Sequence, residues 1–333
     1  MLTRHACRLV ILVPLVALAC TRGERPDEWP YRPVRLIVPF GPGGSADVAA
    51  RLIAPRLAER WQRPVVVDNR PGGDAVVGVQ AFVSAKDEHT LLLAPTGVIT
   101  TNPLLHERLP YDPAIDLVPI CAVGSFSIAI AASSKTGIAS LSDLAAMAKR
   151  QPDRYLWSAA AGLPELVFRA FLELEHLSMK HVAYRDVTSA VHDFHAGRID
   201  VMVAAVPTLS PAVDSGAGRF LAAMNSARAV AAPDMPTARE AGYPSLTVDS
   251  ALGFFGWRDV PADLRQRIAA DVRDAANDPV IVSRLATMGF HVGTGTPEDF
   301  VRIVATQQEQ VAQIARIVGL KGPGGARGDL RLR

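Results

Sequence analysis

The sequence predicts two α/β domains whose parallel sheets are covered by helices on both faces, and three observations carry that prediction. The chain has 333 residues, of which about 300 follow a leader-like segment, more than one comfortable core and close to two of about 150 each. Short apolar runs alternate with helical patterns, as expected for strands joined by helical crossovers. Cysteine usage calls for no covalent staples: Cys7 and Cys20 fall in or at the end of the leader, leaving Cys121 alone in the folded part. With no His or Asp partner near it in sequence, Cys121 reads as a buried small apolar residue.

The leader is read first. Arg4 and Arg8 precede an apolar run from Leu9 to Leu18, followed by Ala19-Cys20. That run is about half of the roughly 20 residues a spanning helix needs, so residues 1–20 read as a secretory signal. Ala17 and Ala19 suit an ordinary signal peptidase, whereas Val16-Ala-Leu-Ala-Cys20 resembles a lipobox that would make Cys20 lipidated and the first mature residue. Residues 21–29 form a polar linker.

The elements follow in order. Apolar runs predict strands at Val34–Phe40, Pro64–Val67, Thr90–Leu93, Phe126–Ala132, Tyr155–Ser158, His181–Tyr184, Ile199–Ala205 and Phe220–Met224. Between and after them, apolar spacing predicts helices near 45–61, 74–86, 141–151, 163–177, 186–197, 261–277 and 297–318. Pro55 is expected to kink the first helix, and Phe300, Val304, Val311, Ile314 and Val318 give the last an apolar stripe. No internal repeat is evident.

Four loops at the C-terminal ends of strands are placed to meet in one crevice, where open parallel sheets bind ligands. The most telling follows Leu36–Phe40: three glycines close the strand and an amphipathic helix opens, the build of an anion cradle. Glycines admit a ligand close to backbone N–H groups, and the helix aims its free N–H groups and positive dipole end at the same point. Gly43 and Gly44 are the expected donors beside Phe40. Ser45 stands as N-cap, its hydroxyl serving either helix or anion. Asp47 either stabilises its own helix start or meets another group of the ligand.

The second loop, Asn69-Arg-Pro-Gly-Gly-Asp74, opens another helix, and Arg70 beside Asp68 reads as a structural ion pair. The third, Ala94-Pro95-Thr96-Gly97, offers a hydroxyl. The fourth runs Ser158-Ala159-Ala160-Ala161-Gly162-Leu163-Pro164-Glu165, with Pro164 suited to a first helical turn. Glu165 serves either that helix or a ligand donor, a contact that apolar neighbours would strengthen.

Other classes fit less well. Setting aside Arg4 and Arg8 leaves 33 basic against 33 acidic side chains, which argues against a nucleic-acid partner. Gly41-x-Gly43-x-x-Ala46 with Asp68 loosely matches a dinucleotide fingerprint, but the acid lies 27 residues beyond Gly41 where the pattern wants about 20. Hydrolase elbows, zinc-protease helices and cysteine pairs for zinc are absent from the sequence. No enzyme activity, cofactor or metal is expected.

Several blocks in order carry a resemblance: Tyr31 to Asp47, Pro64 to Gly72, Thr90-Leu-Leu-Leu93, Leu109-Pro-Tyr-Asp-Pro113, His181-Val-Ala-Tyr184 and Pro233 to Gly242. Over residues 30–318 the chain resembles the Bug family, periplasmic receptors of tripartite tricarboxylate transporters. The resemblance implies a type II periplasmic binding protein fold, two lobes with two crossover strands, parallel-rich sheets, and closure over a small carboxylate. One lobe is expected over 30–124 plus 225–318 and the other over 125–224, with crossings near Gly124 and Ala222-Ala223 and a flexible basic tail at 319–333. In the family the first loop and the loop after the Tyr155–Ser158 strand grip a ligand carboxylate, often through water.

This chain departs from that pattern at Gly73-Asp74-Ala75, where further glycines and an Asn are usual, and at Ala159 to Glu165, where hydroxyls and a His are usual. Ala204-Ala205 replaces a polar pair, and Ala251 or Leu252 an aromatic. The second lobe is therefore expected to be apolar, short of hydroxyl donors, with Glu165 as its acid, and its ligand to pair a carboxylate with a donor group. The expected protein is a periplasmic monomer touching the membrane only through a lipid anchor, with transporter membrane subunits or, in a signalling alternative, a sensor kinase as partner.

Overall fold

The computed structural model describes residues 29–320 except Arg185 and Met288. The signal, Cys20, nearly all of the linker and the tail from Lys321 lie outside the described residues. The chain begins with β1 (Val34–Val38), α1 (Ser45–Trp61), β2 (Val65–Asn69), α2 (Val76–Ala85) and β3 (Thr90–Pro95). Three one-turn helices, α3 (Gly97–Thr100), α4 (Asn102–Leu105) and α5 (Pro113–Asp116), lead into β4 (Leu117–Phe126). The middle comprises β5 (Ile128–Ser133), α6 (Leu141–Arg150), β6 (Leu156–Ala159), α7 (Leu163–Glu175), β7 (Lys180–His181), α8 (Val187–His195), β8 (Val201–Ala205), α9 (Val206–Asp214) and β9 (Gly218–Ala223). After a long return come β10 (Ala251–Trp257), α10 (Ala262–Ala276), α11 (Pro279–Thr287), β11 (Phe290–Val292) and α12 (Pro297–Ile317).

Two sheets result, ordered β11-β4-β10-β3-β1-β2 and β7-β6-β8-β5-β9. The central strand β3 is buried along nearly its whole length, which is why it reads as an unbroken apolar run. Where helical crossovers join strands, pairing is parallel: β1 with β2 and β3, β6 with β7 and β8. Elsewhere the strands pair antiparallel. Every antiparallel pairing involves β4, β5 or β10, the strands beside the two passages between sheets. A strand that arrives from the other sheet has no covering crossover helix to set its direction.

Two of those strands, β4 and β10, are absent from the strands that the sequence predicts. Pro119 interrupts the apolar run of β4, and a proline argues against a central strand; here it pairs with Phe255 beside a register irregularity that accommodates it. β10 carries Gly253 because an added Cβ there would collide with the Phe300 ring of α12. Phe300, Val304, Val311 and Ile314 form the buried stripe expected for α12, and Gln307 joins it by accepting from Thr100 Oγ1 at 2.9 Å and donating to Asp249 O at 2.8 Å. Cys121 is fully buried in β4, and desolvation pushes its thiol well above the ordinary range, which leaves it inert.

The first passage between sheets needs one residue, Ser127, between β4 and β5. Buried Asn225, on the return path, spans it: its Oδ1 accepts from Ile128 N at 3.0 Å and its Nδ2 donates to Phe126 O at 3.4 Å. One side chain thus ties both passages together at the base of the cleft.

Candidate functional site

A cleft of about 870 Å³, its open mouth included, is lined from both sheets. Five helices of two turns or more begin on it, besides the one-turn α3 and α4 at Gly97 and Asn102. Gly44, Ser45 and Ala46 come from α1, Asp74 and Ala75 from the turn into α2, Gly162, Leu163 and Pro164 from α7, Val187 from α8, and Ala205 and Thr208 from α9. A helix leaves its first N–H groups without internal partners and carries a partial positive charge at that end, so convergent starts favour an anion. Among the described residues the lining contains no Lys, Arg or His, and Asp74 is its one charged side chain. Apolar groups, among them Phe40, Phe126, Ile128 and Leu163, make up much of the rest. Such a surface can hold a carboxylate through backbone N–H groups and hydroxyls while packing an aliphatic stem.

The first loop is shaped by its own helix. Gly43 lies at φ +84, a conformation that favours glycine, whereas Gly44 is extended at φ −72. Asp47, nearly fully buried, accepts from Gly43 N at 2.9 Å, Arg51 Nε at 3.0 Å and Asn69 Nδ2 at 2.9 Å. Burial alone would raise its pKa, but the bonds from Arg51, Gly43 and Asn69 outweigh it and hold the carboxyl below its ordinary value. The Gly43 N–H is therefore spent inside the protein and is not a free donor. Ser45 is not the N-cap either: Gly44 is, without a side-chain cap bond, and Ser45 is the first helical residue.

The second loop is strained. Gly72, Gly73, Asp74 and Ala75 all have positive φ, with Asp74 at 55 and Ala75 at 74. Ala75 has no side-chain hydrogen bond to favour this conformation, which costs on the order of 1–3 kcal/mol and collects at functional sites. Asn102 Nδ2 donates to Asp74 O at 2.9 Å and fixes the strained peptide. On its other side the Asp74 carboxylate lies 3.3 Å from His106 Nε2. Arg70 pairs with Asp68, as its neighbourhood in sequence implies.

Of the remaining candidates, Pro95, Ala161, Gly162 and Ala205 line the cleft. Thr96, Ser158, Ala159 and Glu165 do not. Thr96 is fully buried, its hydroxyl bonding Ala251 O at 3.3 Å; Ser158 is buried in β6 and Ala159 ends that strand. Glu165 accepts from Arg169 Nε at 2.8 Å and lines a neighbouring groove with Trp157, Arg169 and His181, which meets the cleft at Asp74. Leu163 faces the cleft, and two residues on is about 200° round the helix, which carries Glu165 to the opposite side.

The sequence reading missed Thr208, Ser250 and Asn102, all in the lining. Thr208 supplies a hydroxyl on the side expected to lack one. The signal was Pro207, which in a first helical turn directly after a strand marks a fifth strand-to-helix turn.

Residues 49–320 match the profile described as tripartite tricarboxylate transporter family receptor. The chain belongs to that receptor family. Similar proteins include a UPF0065 protein of Pseudomonas sp., 30% identical with 87% of each chain covered, and one of Bordetella bronchiseptica, 29% identical with 96% of each covered. Protein BugT of Bordetella pertussis is 28% identical, with 89% of this chain and 92% of that protein covered. Among solved structures, an R. palustris protein with adipate is 26% identical at a TM-score of 0.81, over 88% of this chain and 99% of the other. MatC from Rhodopseudomonas palustris with bound malate is 25% identical at a TM-score of 0.78, over 87% of this chain and all of the other. The receptor thus has the two-lobe periplasmic binding protein fold, and the Bug resemblance holds along nearly the whole described chain. No helix among the described residues is long and apolar enough to cross a membrane.

Proposed function

We propose that this receptor closes over a small carboxylate-bearing solute outside the cytoplasm and presents it to membrane subunits of a tripartite transporter, without chemistry of its own. The observation that carries the reading is the convergence of five helix starts of two turns or more, from both sheets, on a cleft whose lining has no cationic side chain among the described residues. The adipate and malate bound by the two R. palustris proteins are of the same ligand class. In this reading Gly44, Ser45, Ala161, Gly162, Ala205 and Thr208 surround the carboxylate, and Phe40, Pro95 and Phe126 wall the stem. The lobes comprise about residues 30–124 with 225–318, and 125–224, and they move about the passages that Asn225 ties together. Cys20 anchors the protein to the membrane by lipid; replacing it by Ser should release the protein from the membrane fraction, and retention there would count against an anchor.

A thermal-shift screen of small carboxylates on protein lacking residues 1–20 tests the central reading. A true ligand at 100 times its dissociation constant stabilises by about 2.7 kcal/mol, a shift of a few degrees at this size. A screen in which neutral amides stabilise and carboxylates do not would overturn it.

A further inference from the structure

Asp74 is out of place in an anion-binding cleft. Among the described residues it is the lining's one charged side chain, set where the cleft adjoins the neighbouring groove, and it carries the same sign as the solute that the helix starts favour. It is also held there: three consecutive residues, Gly73 to Ala75, take left-handed backbone angles, and Asn102 Nδ2 binds the Asp74 carbonyl at 2.9 Å. Its nearest basic side chain among the described residues is His106, with Nε2 at 3.3 Å, and His106 does not line the cleft. Aromatic rings of Phe40 and Phe126 share the lining, and ring faces attract cations rather than anions.

We propose that Asp74 makes the cleft selective for zwitterionic carboxylates, in which a cationic nitrogen is separated from the carboxylate by a short aliphatic chain. The inference rests on the carboxylate reading above and names the second end of the solute. The carboxylate sits at the helix starts, the methylenes against Phe40, Phe126 and Leu163, and the ammonium at Asp74. A plain dicarboxylate of equal length puts its second charge against Asp74 and is disfavoured. The acid that the sequence reading assigned to this task at Glu165 faces away, and Asp74 takes its place.

Calorimetric titration of δ-aminovalerate, valerate and glutarate, equal in carbon count, tests this in wild type, Asp74→Asn, Asp74→Gly and His106→Gln. Asn and Gly both adopt positive φ without distress, so either Asp74 variant preserves the loop. Wild type and His106→Gln are expected to bind δ-aminovalerate at least about tenfold more tightly than the other two. Both Asp74 variants should lose that preference, with glutarate gaining. The inference is overturned if wild type shows no preference for the amine, if the preference survives in both Asp74 variants, or if His106→Gln abolishes it equally, which would reduce Asp74 to a support for His106. Binding of carboxylates without amine preference overturns this inference alone, whereas failure of all three to bind at millimolar concentration overturns the carboxylate reading with it.

Discussion

The carboxylate of Asp47 accepts the N–H of Gly43 at 2.9 Å, so the glycine loop before α1 is pinned by the third residue of the helix it introduces. The same carboxylate binds Arg51 and, across to β2, Asn69. Asp47→Ala is expected to cost about 0.5–1.5 kcal/mol, because it removes partly buried hydrogen bonds from the Gly43 N–H, Arg51 and the Asn69 amide. Its folded pKa is depressed, so this stabilisation is fully present above the ordinary carboxylate range and is lost as pH falls through the folded value. Denaturant titration at neutral pH checks the size of the effect; an unchanged midpoint would show that the loop holds itself.

Gly44 calls for a different expectation. Its backbone is extended, and an added Cβ meets only Gly41 O at 3.5 Å, an ordinary contact. Gly44→Val should therefore fold, losing about 1 kcal/mol or less as a poor helix cap, while its side chain occupies the cleft and blocks the solute. Solute affinity and melting temperature measured on the same sample should separate, affinity falling steeply and stability little.

Glu165→Gln should leave solute affinity unchanged within about twofold. The residue pairs with Arg169 one turn along α7, a half-exposed pair worth about 0.3–0.5 kcal/mol. A tenfold loss of affinity would place Glu165 in the site after all.

His89 gives the fold an acid-sensitive point. Its side chain is fully buried among Trp29 and Tyr31, and burial, reinforced by Arg32 and opposed by Asp87, lowers its pKa from 6.5 to about 4. The unfolded chain then binds the proton first, so stability falls as pH drops from 6.5 to about 4. The loss totals on the order of 3 kcal/mol. His89→Phe should remove that step from the melting temperature profile, and an identical profile in the variant would assign the acid sensitivity elsewhere.

The bounds of α1 were legible to the residue, because a glycine-rich stop before Ser45 and an apolar stripe ending at Trp61 leave little freedom. The cleft was half legible. Strand-to-helix turns that announce themselves by glycine or proline placed Gly44, Asp74 and Gly162 in it. Which way a side chain points within such a turn was not: Glu165 and Thr96 sit in the right loops and face elsewhere, since helix phase and strand pairing decide this. Donors spent internally, such as the Gly43 N–H, depend on a contact between Gly43 and Asp47 that spacing suggests and only geometry settles. β4 and β10 escaped notice because Pro119 and Gly253 obey demands of a bulge and of Phe300 rather than strand propensity.

The most direct test compares a carboxylate with its own neutral amide. Once a solute is in hand from the screen, its affinity and that of the matching primary amide are measured by calorimetry in wild type and Gly44→Val. Helix starts that recognise charge should bind the carboxylate at least about a hundredfold more tightly than the amide in wild type, and Gly44→Val should abolish binding of both. Equal affinity for acid and amide, or unimpaired binding by Gly44→Val, would contradict anion recognition by the helix starts.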